Sequence, residues 1–112
     1  MATKSYMMFQ VFCLISVFCL NTALQCKVCT KEDSNCVIGD NIESRTCGNG
    51  EDLCFTWFDR KGIEVRVERD CISSGTKGYK AMKKVIGSRN SGCIKNINRL
   101  DCFAFCSLDD CN

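Results

Sequence analysis

The chain has 112 residues, and its 15 basic and 13 acidic side chains leave a formal net charge of +2. It contains no histidine and 12 cysteines, a composition typical of a disulfide scaffold. Serine, cysteine and threonine nucleophiles mostly need a neighbouring base, usually histidine, so we predict that the protein is not an enzyme. Adjacent carboxylates occur in polar, turn-like contexts that indicate solvated loop charges rather than acid–base pairs: Glu32-Asp33, Glu51-Asp52 and Asp109-Asp110.

The amino-terminal segment predicts a secretory signal peptide over residues 1–23. Lys4 is the one charged side chain before residues 7–20, an apolar run of about fourteen residues that is short for a bilayer span. We predict cleavage after Ala23. The alternatives are cleavage one or two residues away and an uncleaved signal anchor. The expected mature chain, 24–112, is secreted and extracellular. After Asn112 there is no apolar tail, so we expect no membrane anchor.

Ten cysteines are left in the expected mature chain once Cys13 and Cys19 are removed. An even count in a short secreted chain favours five internal disulfides. Zinc is the alternative, because Cys26-x-x-Cys29 and the later group of Cys102, Cys106 and Cys111 could be drawn as ligands. Such zinc sites belong to reducing compartments, so we predict disulfides, no metal and no cofactor.

The first part of the mature chain is predicted to be short and irregular. Residues 24–29 are expected to be extended, and residues 30–35 are polar and charged, which indicates a loop. Residues 37–47 could return as a second strand after a turn at 39–41.

A β-hairpin over residues 53–69 is the clearest predicted element. Residues 53–58 are rich in aromatic and β-forming side chains, and residues 59–62 are predicted to turn, with Gly62 free to adopt positive φ. Residues 63–69 then alternate between apolar and charged side chains, which predicts a half-buried strand. We expect the side chains of Ile63, Val65 and Val67 to face the core. Those of Glu64, Arg66 and Glu68 are expected to face water.

A short amphipathic helix near 79–87 is predicted next. Tyr79, Met82 and Ile86 recur at helical spacing, and Gly87 follows as a stop signal. Residues 72–100 contain basic side chains and no acid, so they could bind acidic glycans or an acidic receptor, although a solvated lysine-coated helix is the simpler interpretation. Nucleic acid is not expected, because no recognition motif accompanies the charge. The candidate basic face comprises Lys77, Lys80, Lys83, Lys84 and Arg89.

The two ends of the mature chain resemble those of the lymphocyte antigen-6/urokinase-receptor superfamily. Residues 24–29, Leu-Gln-Cys-Lys-Val-Cys, are similar to its Leu-Gln-Cys-x-x-Cys opening, and residues 106–112, Cys-Ser-Leu-Asp-Asp-Cys-Asn, to its Cys-x-x-Asp-x-Cys-Asn ending. The resemblance covers the whole mature chain. It implies one small all-β, disulfide-rich domain over 24–112 with the three-finger fold, in which three β-hairpin loops leave a five-disulfide knot.

The resemblance also implies a disulfide pairing and the extent of each finger. The implied pairs are Cys26–Cys54, Cys29–Cys36, Cys47–Cys71, Cys93–Cys102 and Cys106–Cys111. Finger one is expected at 27–46, finger two at 54–71 and finger three within 72–102, while Asn112 ties the chain end into the knot. The long interval between Cys71 and Cys93 and the short one after it depart from the pattern of many members.

The resemblance implies a secreted, non-enzymatic binding protein that acts on a membrane receptor or ion channel through its fingertips. We expect a monomer with a protein partner; toxins and endogenous modulators share this scaffold. An ordinary solvated hairpin turn is the alternative for the tip, and a structural, cell-contact, defence or reproductive factor acting through the basic face is the alternative function. The candidate contact residues at the tip of finger two are Trp57, Phe58, Asp59, Arg60 and Lys61.

Overall fold

The computed structural model describes residues 23–112, so the predicted signal peptide lies outside the described residues apart from Ala23. The strands are β1 (Gln25–Lys27), β2 (Ser44–Thr46), β3 (Leu53–Lys61), β4 (Glu64–Ile72), β5 (Ser91–Asn96) and β6 (Arg99–Cys106), and the helices are α1 (Ser34–Ile38) and α2 (Lys77–Ile86). Within this part of the chain, neither helix has the length and apolar character needed to cross a bilayer.

The strands form two antiparallel sheets. β1 pairs with β2, and a four-stranded sheet has the order β4-β3-β6-β5. Two hairpins, β3–β4 and β5–β6, therefore lie side by side, with β3 and β6 paired along the middle of the sheet. The protein is thus a small, mostly β, disulfide-rich domain, as the sequence predicts.

Five disulfides cross-link the strands and loops of the domain. They are Cys26–Cys54, Cys29–Cys36, Cys47–Cys71, Cys93–Cys102 and Cys106–Cys111, the same pairs that the resemblance implies. The bridges Cys26–Cys54 and Cys47–Cys71 form one buried cluster against Leu24, which we call the disulfide knot. Groups of three sulfur atoms lie within 4.8 Å of one another here, but each sulfur is already held in a disulfide and offers no thiolate.

The end of the chain is tied to the knot by the side chain of Asn112. Its Nδ2 donates to the carbonyl oxygens of Lys27 and Phe55, and its Oδ1 accepts from the backbone N–H of Lys27, each at 2.9 Å. One amide thus bonds both the first strand and the central strand, which is the role that the resemblance implies for Asn112.

The first loop differs from its sequence-based prediction. Residues 30–35 are not all loop, because α1 begins at Ser34. Residues 37–47 begin with the end of α1 and contain a strand of only three residues, β2. Both helix ends are capped: the Asp33 side chain accepts a hydrogen bond from the N–H of Asn35, and Gly39 adopts the left-handed conformation with φ of 84°. These caps stabilise a single helical turn where hydrophobic periodicity is too short to be seen.

The predicted β3–β4 hairpin is confirmed, but its turn is displaced. Both strands continue to the pair Lys61↔Glu64, so Gly62 and Ile63 form the turn, and Gly62 has a φ of 63°. The prediction that Ile63 faces the core is wrong, since its side chain is 102% exposed, whereas Val67 is 4% exposed. The alternating pattern begins one residue before the strand, because Ile63 belongs to the turn and β4 begins at Glu64.

α2 is longer than the predicted helix and covers one face of the sheet. The Thr76 hydroxyl accepts from the N–H of Tyr79, and Gly87 follows the last residue with a φ of 70°. Ile86 packs with Phe103 and Phe105, and the rings of Tyr79 and Phe105 meet edge to face with centroids 4.9 Å apart. α2 therefore occupies the interval between Cys71 and Cys93 and buries the aromatic face of β6.

Gly92→Ala is expected to lower the free energy of unfolding by about 1–3 kcal/mol, the usual cost of overpacking. A Cβ on Gly92 would lie 2.8 Å from Cγ2 and 3.1 Å from Cβ of Ile86, so α2 would have to shift from β5. Denaturant unfolding with the disulfides intact measures the change. Gly78→Ala, where a Cβ meets nothing within 4 Å, is the control and is expected to stabilise α2. Equal stability of Gly92→Ala and wild type would contradict this close packing.

Candidate functional site

The turns of the two long hairpins meet at the end of the sheet opposite the knot. Gly62 in the first turn donates its backbone N–H to the carbonyl oxygen of Asn98 in the second at 3.3 Å. β3 and β6 remain paired as far as Lys61 and Arg99. The two turns therefore form one continuous surface, residues 60–64 and 95–99, which we call the distal tip.

Two aliphatic side chains project from the distal tip. Ile63 and Ile97 are 102% and 99% exposed, and each lies in a two-residue turn between paired strands. Isolated exposed aliphatic residues are common, but contiguous apolar groups ringed by polar ones are typical of interaction surfaces. The hydrogen bond between the two turns places both isoleucines at the same end of the sheet, and their nearly complete exposure means that neither packs on the rest of the described chain.

Positive charge surrounds these isoleucines. Arg60, Lys61 and Lys95 are exposed, and the side chain of Arg99 is 44% exposed. Glu64 is the one acid in the two segments. A hollow of about 200 Å³ lies between the turns, lined by Arg60, Gly62 and residues 95–100. The distal tip thus combines an apolar centre with a cationic rim.

A buried carboxylate fixes the base of the distal tip. Asp59 is 1% exposed, and its two oxygens accept hydrogen bonds from Arg66 Nη2 and Arg99 Nε, each at 3.0 Å. Burial alone would raise the pKa of Asp59, but the hydrogen bonds and positive charges of Arg66 and Arg99 outweigh it and hold the pKa below its usual value. Asp59 therefore joins β3, β4 and β6 and is not available to a partner.

Trp57 is also held within the domain. Its ring lies 5.9 Å from that of Phe103, and its Nε1–H donates to Asp101 at 3.1 Å. The ammonium group of Lys31, from the first loop, lies 3.0 Å from the ring centroid, a cation–π contact. These contacts connect the first loop to the central strand, so Trp57 has a structural role in the described fold.

The structure divides the five residues that the sequence groups as the tip of finger two. Arg60 and Lys61 lie at the distal tip, whereas Trp57 and Asp59 lie on the face covered by α2 and the arginines. Phe58 packs on the opposite face with Val67 and the Cys29–Cys36 disulfide. This division follows from strand geometry, because successive side chains point to opposite faces of a sheet.

Sequence reasoning missed Ile63 and the whole second segment of the distal tip, residues 95–99, which contributes Lys95, Ile97 and Arg99. The alternating pattern predicts that Ile63 faces the core, and the resemblance implies a third hairpin only as finger three within 72–102, without strand or turn positions. A signal for the second turn was present, because Ile97 lies between Asn96 and Asn98 and asparagine favours turns.

The predicted basic face forms a second charged surface, on and after α2. Lys77, Lys80 and Lys84 are exposed. Lys83 is half-buried, and its ammonium group donates to the backbone carbonyl of Arg89. Lys77, Lys80 and Lys84 thus lie on the side of α2 opposite its apolar residues, with Lys83 and the backbone of Arg89 beside them.

Comparison with known proteins identifies no family for this chain. A scan against family models finds no match, and a search of curated proteins finds no relative. The resemblance to the lymphocyte antigen-6/urokinase-receptor superfamily stays a prediction from the two end motifs.

Proposed function

We propose that the protein is a secreted, non-enzymatic binding protein of the three-finger type, which engages a membrane receptor or ion channel through the distal tip. The observation that carries the proposal is the pair of fully exposed isoleucines, Ile63 and Ile97, on turns that a hydrogen bond joins. Exposed aliphatic side chains at the end of a rigid scaffold gain free energy when a partner removes them from water.

The arrangement of the hairpins supports the three-finger assignment. Hairpin β3–β4 would be finger two, hairpin β5–β6 finger three, and the segment from β1 through α1 to β2 finger one. The disulfide knot and the Asn112 side chain hold the bases of these segments together, which agrees with the end motifs on which the resemblance depends.

The contact surface is proposed at the distal tip because other parts of the chain cover both faces of the sheet. α2 covers one face, and the first loop packs Phe58 and Val67 on the other. The distal tip is left free, and Asp59 bonds Arg66 and Arg99 at its base, which joins the strands that carry it. A preorganised surface loses little conformational entropy on binding. The complementary surface on the partner would be an apolar pocket with an acidic rim.

Removal of the two isoleucines is expected to weaken binding to the partner. The double variant Ile63→Ser/Ile97→Ser should weaken saturable binding of labelled protein to live cells of its own organism at least tenfold, or about 1.4 kcal/mol. Since both side chains are fully exposed, folding should be unaffected, which thermal unfolding checks. Cross-linking on the same cells then identifies the membrane protein.

A matched control separates the distal tip from apolar exposure in general. Ile38 on α1 is 69% exposed and lies outside the distal tip, so Ile38→Ser should leave binding unchanged. Arg60→Glu/Lys61→Glu should weaken binding as the isoleucine variant does. If the tip variants bind as wild type does, or if Ile38→Ser alone loses binding, the proposal is wrong.

A further inference from the structure

We propose that the outer side of α2 binds a linear sulfated polysaccharide, at a surface separate from the distal tip. The proposal depends on three exposed lysines, Lys77, Lys80 and Lys84, which we call the lysine stripe. It shares with the proposed function only the expectation that the protein is secreted, and it needs no contact made by the distal tip.

The spacing of the lysine stripe places its charges in one row. Positions i, i+3 and i+7 fall within roughly 60° of the helix circumference and extend over about 10 Å of its length. All three residues are exposed. Lys83 flanks the row, and its bond to the carbonyl of Arg89 places the start of the following loop beside it. A straight row of cations matches a linear polymer with a repeating negative charge.

The described part of the chain does not neutralise this row. In residues 23–112, the ion pairs are made by Arg45, Arg66 and Arg99, and none involves a lysine of α2. The acid that reaches the segment before α2 is Asp52, and its two oxygens accept hydrogen bonds from the N–H and hydroxyl of Ser74. The lysine stripe therefore faces solvent without an acidic partner among the described residues.

Part of the arrangement is unfavourable for the helix itself, although Lys84 lies in the last turn, where the helix dipole favours a cation. Lys77 lies in the first turn, which contains no acid, and a cation there faces the positive end of the helix dipole. Lys80 lies three residues from Lys77 and four from Lys84, and like charges at these spacings repel. Violations of local rules that bring no gain to the fold are expected at functional sites, and a bound polyanion would relieve both effects.

A polysaccharide fits this surface better than a membrane or a nucleic acid does. Helices that lie on bilayers insert their apolar side, but that side of α2 is occupied: Ile86 is 8% exposed and packs on Phe103 and Phe105. Proteins that bind single-stranded nucleic acid stack bases on aromatic rings, whereas Tyr79 is half-buried against Phe105. The side of α2 that faces solvent therefore presents a row of compact ammonium charges, which can pair with sulfate groups along a polysaccharide.

Immobilised heparin is the probe that tests the proposal. Wild type should bind it with an affinity that falls steeply with salt, because binding releases counterions. Lys80→Glu/Lys84→Glu should weaken binding at least tenfold and reduce the salt dependence. The tip variant Arg60→Glu/Lys61→Glu changes the net charge equally and should bind almost as wild type does. Equal losses in the two variants would show that only net charge matters and would overturn the proposal.

Competition with two further polyanions distinguishes the class of ligand. Hyaluronan, which has carboxylates but no sulfates, and phosphatidylserine vesicles should bind much more weakly than heparin. Stronger binding to either one, or no binding to heparin at physiological salt, would overturn the proposal. These measurements use no cells, so they succeed or fail independently of the receptor proposed for the distal tip.

Thermal stability provides a further test, which distinguishes a ligand-binding role for these lysines from a purely structural one. Lys80→Glu removes two repulsive contacts and places a carboxylate four residues before Lys84, a favourable order. Its melting temperature should equal or exceed that of wild type while heparin binding falls. A lower melting temperature would refute the unfavourable charge arrangement and overturn the proposal.

Discussion

Replacing Cys26 and Cys54 together by alanine is expected to lower the free energy of unfolding by about 4 kcal/mol, largely by releasing a loop in the unfolded chain. The two cysteines are 28 residues apart in sequence, and both are fully buried. Their bridge packs against Cys47–Cys71, so the double substitution also removes buried sulfur from the knot. Guanidinium unfolding of oxidised protein measures the difference, with a slope that should rise in the variant because its unfolded chain is less compact.

Cys93–Cys102 provides the matched comparison. It closes a separation of 9 residues within one hairpin, and Cys93 is exposed. The shorter loop predicts a loss below about 3 kcal/mol for Cys93→Ala/Cys102→Ala. A larger loss here than at Cys26–Cys54 would mean that the knot is not the centre of stability in this domain.

The β3–β4 hairpin was predictable because the residue pattern that specifies it lies within the hairpin itself. Alternation of apolar and charged residues along 63–69 requires only that one side of a strand is buried, and that condition is fulfilled at Val67. The exact turn was not predictable, because aspartate is a typical turn residue and Asp59 was therefore predicted to lie in the turn. Only the folded structure shows that Arg99, 40 positions away, bonds Asp59 within the sheet. A carboxylate that is buried by residues distant in sequence cannot be recognised from the residues beside it.

The short elements and the distal tip were harder to predict for the same reason. α1 is a single turn, so only its caps, Asp33 and Gly39, could have marked it. The tip arises from two turns that are distant in sequence, and their contact depends on the pairing of β3 with β6. The disulfide pairs could be inferred only from the resemblance, because the number of cysteines leaves many pairings open.

The Asp59→Asn variant is expected to lose about 2 kcal/mol of stability at neutral pH, within the range for a hydrogen-bonded charged group. The substitution keeps the shape of the side chain but removes the charge between Arg66 and Arg99. The loss should be smaller than for a fully buried ion pair, because the arginine side chains are 41% and 44% exposed and water can solvate them. Asp40→Asn, at an exposed carboxylate, should change stability little.

The effect of Asp59→Asn should shrink in acid. The arginines hold the pKa of Asp59 below its usual value in the folded protein, so as the pH falls below about 4 the unfolded chain takes up this proton first. Protonation then favours unfolding, and the stability contributed by Asp59 is lost as the pH approaches its folded pKa. Unfolding curves of wild type and Asp59→Asn should therefore converge between neutral pH and strong acid. A difference that stays constant over this range would show that Asp59 acts through packing and not through its charge. Some acid sensitivity should persist in the variant, because hydrogen bonds from Arg45 to Glu51 and from Ser74 to Asp52 also lower the pKa values of those carboxyls.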